Sequence, residues 1–466
     1  MHHIHPTSSS ESVDVLLGNP KKAIRYMVIP VFVALLVAQL NNFVDNIWCS
    51  SLGVEAVSAV SLVSTLYFFF PSTGAGIGVG LNVTISNLLG AGDRESAGDR
   101  ATQVFALTAL VSVAIIPLLF FSMDALIDLI GGTEIKDLCR EYLIPLYLLC
   151  PFLILSNVLS GMLRGEGAAH KSTAINILTA VTNIILDPIF IFGFDMGVAG
   201  ASWATMLSSL VAVIVGLRYY YTGRTYVNLR FKGMRFKGSS IWDVMYVGIP
   251  QILENNVHSL ANLLLMSLII GCGGALGLTL YNVPWKTVHL LMVPAMAVAI
   301  AMVPVLSAAR GQRNAEKLME GYIYAFKLCL GLGLAAMLVT FVFGDLWMLL
   351  FSYTGDMVQY HDELVRILWI YIPFMVFYGL ITFGSSLLSA LRKSQISAAT
   401  IILRQAIFIG IIWICTMHDM EWVYWGVTVS EIIGGILMVI ISYSEFKVVY
   451  RALKCPIHNP ACNMDE

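Results

Sequence analysis

Apolar residues run along this chain in long blocks set apart by short polar turns. Twelve blocks stand out, at 26–49, 57–88, 101–122, 142–163, 172–193, 199–221, 247–270, 276–306, 321–343, 365–388, 395–416 and 423–446. A helix crossing a bilayer needs about 20 mostly apolar residues, so each block predicts one transmembrane helix. The blocks are continuously apolar, unlike the every-second-residue pattern of membrane β-strands. The longest and most basic loop, near 222–240, divides the series into six and six. The expected organisation is a tail (1–25), an N-lobe (26–221), a basic linker (222–246), a C-lobe (247–446) and a second tail (447–466). The fold class is therefore all-α and integral to the membrane, with twelve helices in two six-helix bundles.

The two halves echo one another. Each opens with a span carrying an early proline (Pro30, Pro250) and a turn near Gly53 or Gly271. Each second span is long and runs into a polar turn, GAGDRESAGDR from Gly90 or ARGQRNAEKLME from Ala309. Each fourth span carries a proline (Pro151, Pro373) and closes on Leu163-Arg164 or Leu391-Arg392. Six spans is an even number, so the repeats share an orientation and are expected to be related by a pseudo-two-fold axis along the membrane normal.

Composition agrees with the pattern. Of 466 residues, 58% are hydrophobic and 12% charged, against about 25% charged in soluble domains. A net charge of −2 and the lack of a basic patch interleaved with aromatics argue against nucleic-acid binding. With the N-terminus placed in the cytosol, 21 of the 27 Lys and Arg fall on the inner side. Only Lys136 and Arg140 fall outside. That asymmetry predicts cytosolic termini and a multi-pass protein of the cell (plasma) inner membrane. Residues 1–20 carry no signal-peptide pattern. The His2-His3-Ile4-His5 tail and the Cys455, His458, Cys462 cluster fall short of a four-ligand metal site, and Cys139 and Cys272 are candidates for pairing in outer loops.

Charge within the spans carries the chemistry. Asp45 (span 1) and Asp187 (span 5) lie at membrane depth, whereas the in-span cations Lys286, Lys327, Arg366 and Arg404 all belong to the second half. An ion at the bilayer centre costs roughly 2.5–3.5 kcal/mol on insertion scales. An acid without a resident cation must take up a proton or a mobile cation. Asn176, Asn183 and Asp187 share one helical face, as do Asn41 and Asp45. Pro188 leaves the Ile184 carbonyl without its helical donor. Thr205 emerges from the small-residue run 200–204, which lets span 6 approach span 5 closely. This donor set suits Na+ or H+, and a bracing pair of acids sharing one proton is the structural alternative.

In the second half Glu254 and Glu431 face Lys286 and Arg404, which predicts internal ion pairs. Glu254 with His258, and Lys286 with His289, form face-sharing pairs. A secondary cation or substrate cavity is a candidate there, lined by Tyr281 and Trp285 and extended to Asn41 and Asn176 in the first half. Enzyme motifs fail: the Gly90-Ala91-Gly92-Asp93 string lacks the Tyr-Asp partner of intramembrane proteases, and neither HExxH nor a P-loop is present. No cofactor is expected beyond Na+ or H+ as coupling ion.

The span 1 pattern Pro30…Asn42-Phe43-Val44-Asp45…Leu52-Gly53…Ala56…Ala59 resembles the MATE (multidrug and toxic compound extrusion) transporters. So do the GAG-D-R turn, Asn183…Asp187-Pro188-Ile189-Phe190-Ile191-Phe192-Gly193 and Gly197-Val198-Ala199-Gly200-Ala201. The resemblance is to the prokaryotic DinF-like branch, and it implies an N-lobe cation site at Asp45, Asn183, Asp187 and Thr205. The NorM-like branch uses a Glu in span 7 and an Asp in span 10; Glu254 comes earlier than that pattern and span 10 has no acid. The resemblance implies a monomeric secondary antiporter that exports amphiphilic or cationic organic compounds by alternating access. A lipid-linked oligosaccharide flippase of the same superfamily and a non-transporting receptor or scaffold are the alternatives.

Overall fold

A computed structural model describes residues 9–50, 52–130, 132–353 and 355–454. The histidine tail and the Cys455, His458, Cys462 cluster lie outside them. The first seven helices are α1 (Ser9–Leu17), α2 (Pro20–Ser50), α3 (Val54–Gly90), α4 (Arg94–Ala114), α5 (Ile116–Leu129), α6 (Lys136–Gly165) and α7 (Ala169–Pro188). A π-turn at Ile189–Gly193 leads into α8 (Gly197–Tyr221), α9 (Gly238–Gly311), α10 (Ala315–Ser352), α11 (His361–Ala390), α12 (Ser394–Cys415) and α13 (Met420–Lys454). All twelve blocks fall on these helices.

Two elements need a closer count. The 74 residues of α9 would measure about 111 Å if straight, far more than one crossing. They are divided at Gly274, whose φ of 63° and ψ of −159° are not helical. Helices α4 and α5 bend by 48° at a short break and together make one span. The described residues thus hold twelve membrane-crossing segments.

The halves repeat at the level of backbone torsions. Gly53 (φ 98°, ψ 171°) and Gly274 occupy the same unusual region after the first span of each half. After the second span, Gly92 and Arg313 take positive φ, and Asp93 and Asn314 cap the next helix by accepting from Ser96 N and Lys317 N (both 2.9 Å). The Ser96 donors hold the Asp93 carboxyl below its usual range. After the fourth span, Gly167 and Arg392 again turn with positive φ.

Contacts divide the chain into two units. The first runs to Gly18 and takes in Val33–Ile252, and the second takes in Asn19–Phe32 and everything from Leu253. Lipid offers no hydrophobic drive between spans, so close packing of small residues does the work. In the first unit, Gly74 and Gly78 lie against the backbone of Ile154 and Asn157 on α6, and Gly80 lies against Val244 of α9. In the second, Ala23, Ile24 and Met27 of α2 are buried, and Lys21 and Arg25 reach Glu320 and Tyr324 of α10 at 3.0 and 2.7 Å. Leu338, Phe341 and Val342 of α10 are about 60% exposed (60–62%), an apolar surface of the kind a bilayer covers.

The basic linker is an ordered strap on the first unit. Val227 N donates to Glu166 Oε2 (2.9 Å), Arg94 Nε to the Tyr226 carbonyl (2.7 Å), and Lys237 N to Gln103 Oε1 (2.7 Å). The Arg94 guanidinium also rests over the Tyr226 ring, and Lys171 Nζ donates to the Arg224 carbonyl. Cys139 and Cys272, candidates for pairing, are unbridged. Cys139 is packed inside its own bundle with no exposed surface.

Candidate functional site

Helix α2 delivers Asn41 and Asp45 one turn apart, and α7 delivers Asn183 and Asp187 in the same relation. The two pairs meet. Asn41 Nδ2 donates to Asp45 Oδ2 (3.0 Å) and to Asn183 Oδ1 (2.9 Å), and Asn183 Nδ2 donates to Asp187 Oδ1 (3.1 Å). Two amides thereby join two carboxyl groups in one chain across two helices, and the carboxyls themselves face each other. Asn183 and Asp187 are each 2% exposed. Among the described residues no Lys or Arg pairs with either carboxylate.

Three acceptor atoms in this cluster, Asn41 Oδ1, Asp45 Oδ1 and Asp187 Oδ2, are buried and accept no hydrogen bond. A buried oxygen without a donor costs about 1–3 kcal/mol, more when charged. Hard oxygens arranged this way satisfy themselves by binding a proton or a small cation. No group of three or more His, Cys, Asp or Glu side chains able to hold a metal occurs among the described residues, so a cation here would rely on amide oxygens as well as carboxylates.

The backbone explains why Asp187 points inward at the end of its helix. Pro188 has no N–H, so the α-ladder ends there and the chain continues as the π-turn. The turn closes with Phe194 N donating to the Ile189 carbonyl (2.9 Å). A side chain at Gly200 would meet the Phe190 carbonyl carbon at 2.7 Å, so α8 packs on this turn only with glycine there.

Not all expected members join. Thr205 donates its hydroxyl to the Ala201 carbonyl of its own helix (3.0 Å). Asn176 is half-buried on the shared face and makes none of the cluster's hydrogen bonds. Asn41, read from the sequence both as a face-sharing neighbour of Asp45 and as an extension of a secondary cavity, belongs to the carboxylate cluster. Sequence reasoning missed Cys49 and the tyrosines Tyr67 and Tyr142, whose side chains lie within electrostatic reach of Asp45. Inside apolar runs these residue types read as packing, and nothing in their spacing marks them.

The second unit holds a separate polar cluster. Arg404 Nη1 contacts both Glu431 oxygens (3.1 and 3.0 Å) with both side chains about 5% exposed. Glu254 accepts from Ser385 Oγ (2.5 Å) and Ser397 Oγ (2.9 Å). The expected ion pairing thus holds for Arg404 and Glu431, whereas Glu254 is met by hydroxyls. His258 Nδ1 meets Gln405 Nε2 at 2.7 Å. A cavity of about 120 Å³ lies between His258, Tyr281, Trp285, His289, Tyr378 and Glu431. Trp285 stacks on Tyr281 and Phe374 (centroids 5.9 and 5.4 Å). Lys286, assigned to this cavity from the sequence, is exposed and outside its lining.

Twelve crossing segments with an uncompensated acidic cluster in the first six define a polytopic transporter architecture. The MatE family model matches residues 30–189 and 250–414, once in each half, and the chain belongs to that family of multidrug and toxic compound extrusion transporters. It is 25% identical over 427 residues to the multidrug export protein MepA of Staphylococcus aureus (strain MSSA476), covering 91% of this chain and 93% of that protein. A shorter match, 24% over 311 residues, is to an FAD transporter of Shewanella oneidensis (65% and 68% covered). Among solved structures, a MATE transporter in complex with MaL6 superposes with a TM-score of 0.90 at 29% identity (94% and 99% covered). A transporter of the MOP superfamily from Pyrococcus furiosus gives 0.89 at 28% (97% and 100% covered). The protein is a multi-pass membrane transporter for small molecules and not an enzyme.

Proposed function

We propose that this transporter is a secondary antiporter of the plasma membrane, exporting amphiphilic or cationic organic compounds in exchange for Na+ or H+. The observation that supports the reading is the set of three buried, donorless oxygens on Asn41, Asp45 and Asp187. A bound cation offsets part of the charge of the two carboxylates and satisfies open oxygens; empty, the cluster carries uncompensated charge in a low-dielectric site. That difference is the free energy by which an ion biases an alternating-access equilibrium. Entry of one charge down a potential of 100 mV releases about 2.3 kcal/mol, enough for roughly fifty-fold accumulation of a neutral compound outside.

The test is dye efflux from proteoliposomes under an imposed sodium or pH gradient. Asp45→Asn and Asp187→Asn should each abolish gradient-driven efflux while the purified protein keeps its elution profile and thermal stability. The gradient that drives the wild type identifies the ion. Normal driven efflux from either variant refutes the coupling role.

A further inference from the structure

Helix α13 continues well past its apolar segment. Its 35 residues span about 52 Å, against roughly 30 Å of hydrocarbon. At the far end Glu421 pairs with Arg366 (2.6 Å) on an exposed surface, which marks one edge of the apolar zone. Twenty residues onward, the other edge falls near Ile441. Tyr443 then lies at the interface, Lys447 follows about 9 Å past that edge, and Tyr450, Arg451 and Lys454 lie about 14 to 20 Å past it, with long side chains that can reach back toward the headgroups.

These residues form one stripe. Tyr443, Lys447, Tyr450 and Lys454 recur at spacings of four, three and four, and Arg451 adjoins them. The Lys447 ammonium sits over the Tyr443 ring (4.6 Å) and that of Lys454 over Tyr450 (5.3 Å). Each cation is steadied by a ring face and keeps its N–H donors free. All three cations are exposed, and among the described residues none pairs with an acid. The nearby carboxylate, Glu445, projects from the opposite side of α13 and is held by Lys393 (3.4 Å). Tyr443 and Phe446 stack on Tyr322 of α10 (6.2 and 4.2 Å), which anchors the stripe to the bundle.

We propose that this stripe is a binding surface for anionic phospholipid headgroups, with Lys447, Arg451 and Lys454 contacting phosphate and Tyr443 and Tyr450 setting the depth. Charge complementarity and position name the occupant: the cations follow directly on the membrane edge, where the field of anionic headgroups acts, and tyrosine is favoured at the interface.

Native mass spectrometry of the full-length protein, purified in micelles with equal phosphatidylglycerol and phosphatidylcholine, tests this. The wild type should retain phosphatidylglycerol preferentially. The Lys447→Gln/Arg451→Gln/Lys454→Gln variant should lose that preference by on the order of a hundredfold in affinity. The Lys447→Arg/Lys454→Arg variant should keep it, which separates lost charge from lost folding. Equal retention of the two lipids by the wild type overturns the proposal, as does an undiminished preference in the glutamine variant. Displacement of the lipid by millimolar inorganic phosphate would make a free anion the ligand and equally overturn it.

Discussion

Asn41 holds its place in the cluster with a single nitrogen, which gives one hydrogen to Asp45 and the other to Asn183. Its oxygen is left open beside the two open carboxylate oxygens. Replacing it by alanine strips Asp45 Oδ2 and Asn183 Oδ1 of their donor and removes one candidate ligand atom. A hydrogen bond to a charged group is worth about 1.5–3 kcal/mol. Asn41→Ala should therefore lower gradient-driven efflux at subsaturating ion by roughly tenfold or more, with folding intact, and saturating ion should restore part of it. An unchanged ion dependence would remove Asn41 from the site. Asp45 and Asp187 were legible in the sequence because a carboxylate in an apolar run must be neutralised, and Asn41 and Asn183 because each stands one turn before an acid. Tyr67 and Tyr142 were not, since an uncharged polar group at depth is compatible with many packing roles.

The break after Asp187 is built by a proline and accommodated by a glycine. Pro188 ends the ladder, the π-turn takes up the slack, and Gly200 lets α8 lie against that turn. Gly200→Val would push Cβ onto the Phe190 backbone, which cannot rotate away as a side chain tip can. Overpacking of this kind costs about 1–3 kcal/mol. The variant should unfold several degrees lower than wild type in a detergent melt and lose efflux, whereas Gly410→Ala, at a helical glycine with open space around it, should be neutral or slightly stabilising. Equal melting points for the wild type and the valine variant would contradict the packing. The sequence predicted this close approach from the small-residue run, and it placed every span. It read 101–122 as one crossing, which α4 and α5 together make, but not the 48° bend between them, although Pro117 in the first turn of α5 stands at the break. It also expected an ion pair for Glu254, whereas the packing of α9, α11 and α12 brings Glu254 to Ser385 and Ser397.

The linker is tied down at one buried carboxyl. Glu166 is 1% exposed, lies outside the spans, and accepts from Val227 N. Burial pushes its pKa up from 4.5 to about 7, opposed by the Val227 and Tyr226 amides and by Lys171 and Arg94. The Tyr220 hydroxyl also lies near. The folded chain therefore holds a proton there that an unfolded segment has released, so between about pH 4.5 and 7 the strap weakens as pH rises. Glu166→Gln keeps an oxygen for Val227 and cannot ionise. Exchange of the Val227 amide with deuterium should accelerate between pH 5 and 8 in the wild type, after correction for the intrinsic rate, and stay level in the glutamine variant. A level wild-type profile would show that the carboxyl does not govern the strap.

Hydrophobic blocks of helix length allow one architecture in a bilayer, and their number, the two-fold repetition of turns and the unpaired acids are one-dimensional facts, so the amino-acid order alone fixed the helical membrane class, the halves and the principal carboxylates. Whether residues 142 apart, Asn41 and Asn183, would share a hydrogen bond depends on which helix faces turn toward each other. That choice is made by the summed packing of glycines, prolines and capped turns distributed over the whole bundle, and no local stretch of chain encodes it. Folding brought the amides to the acids and left three oxygens there without donors.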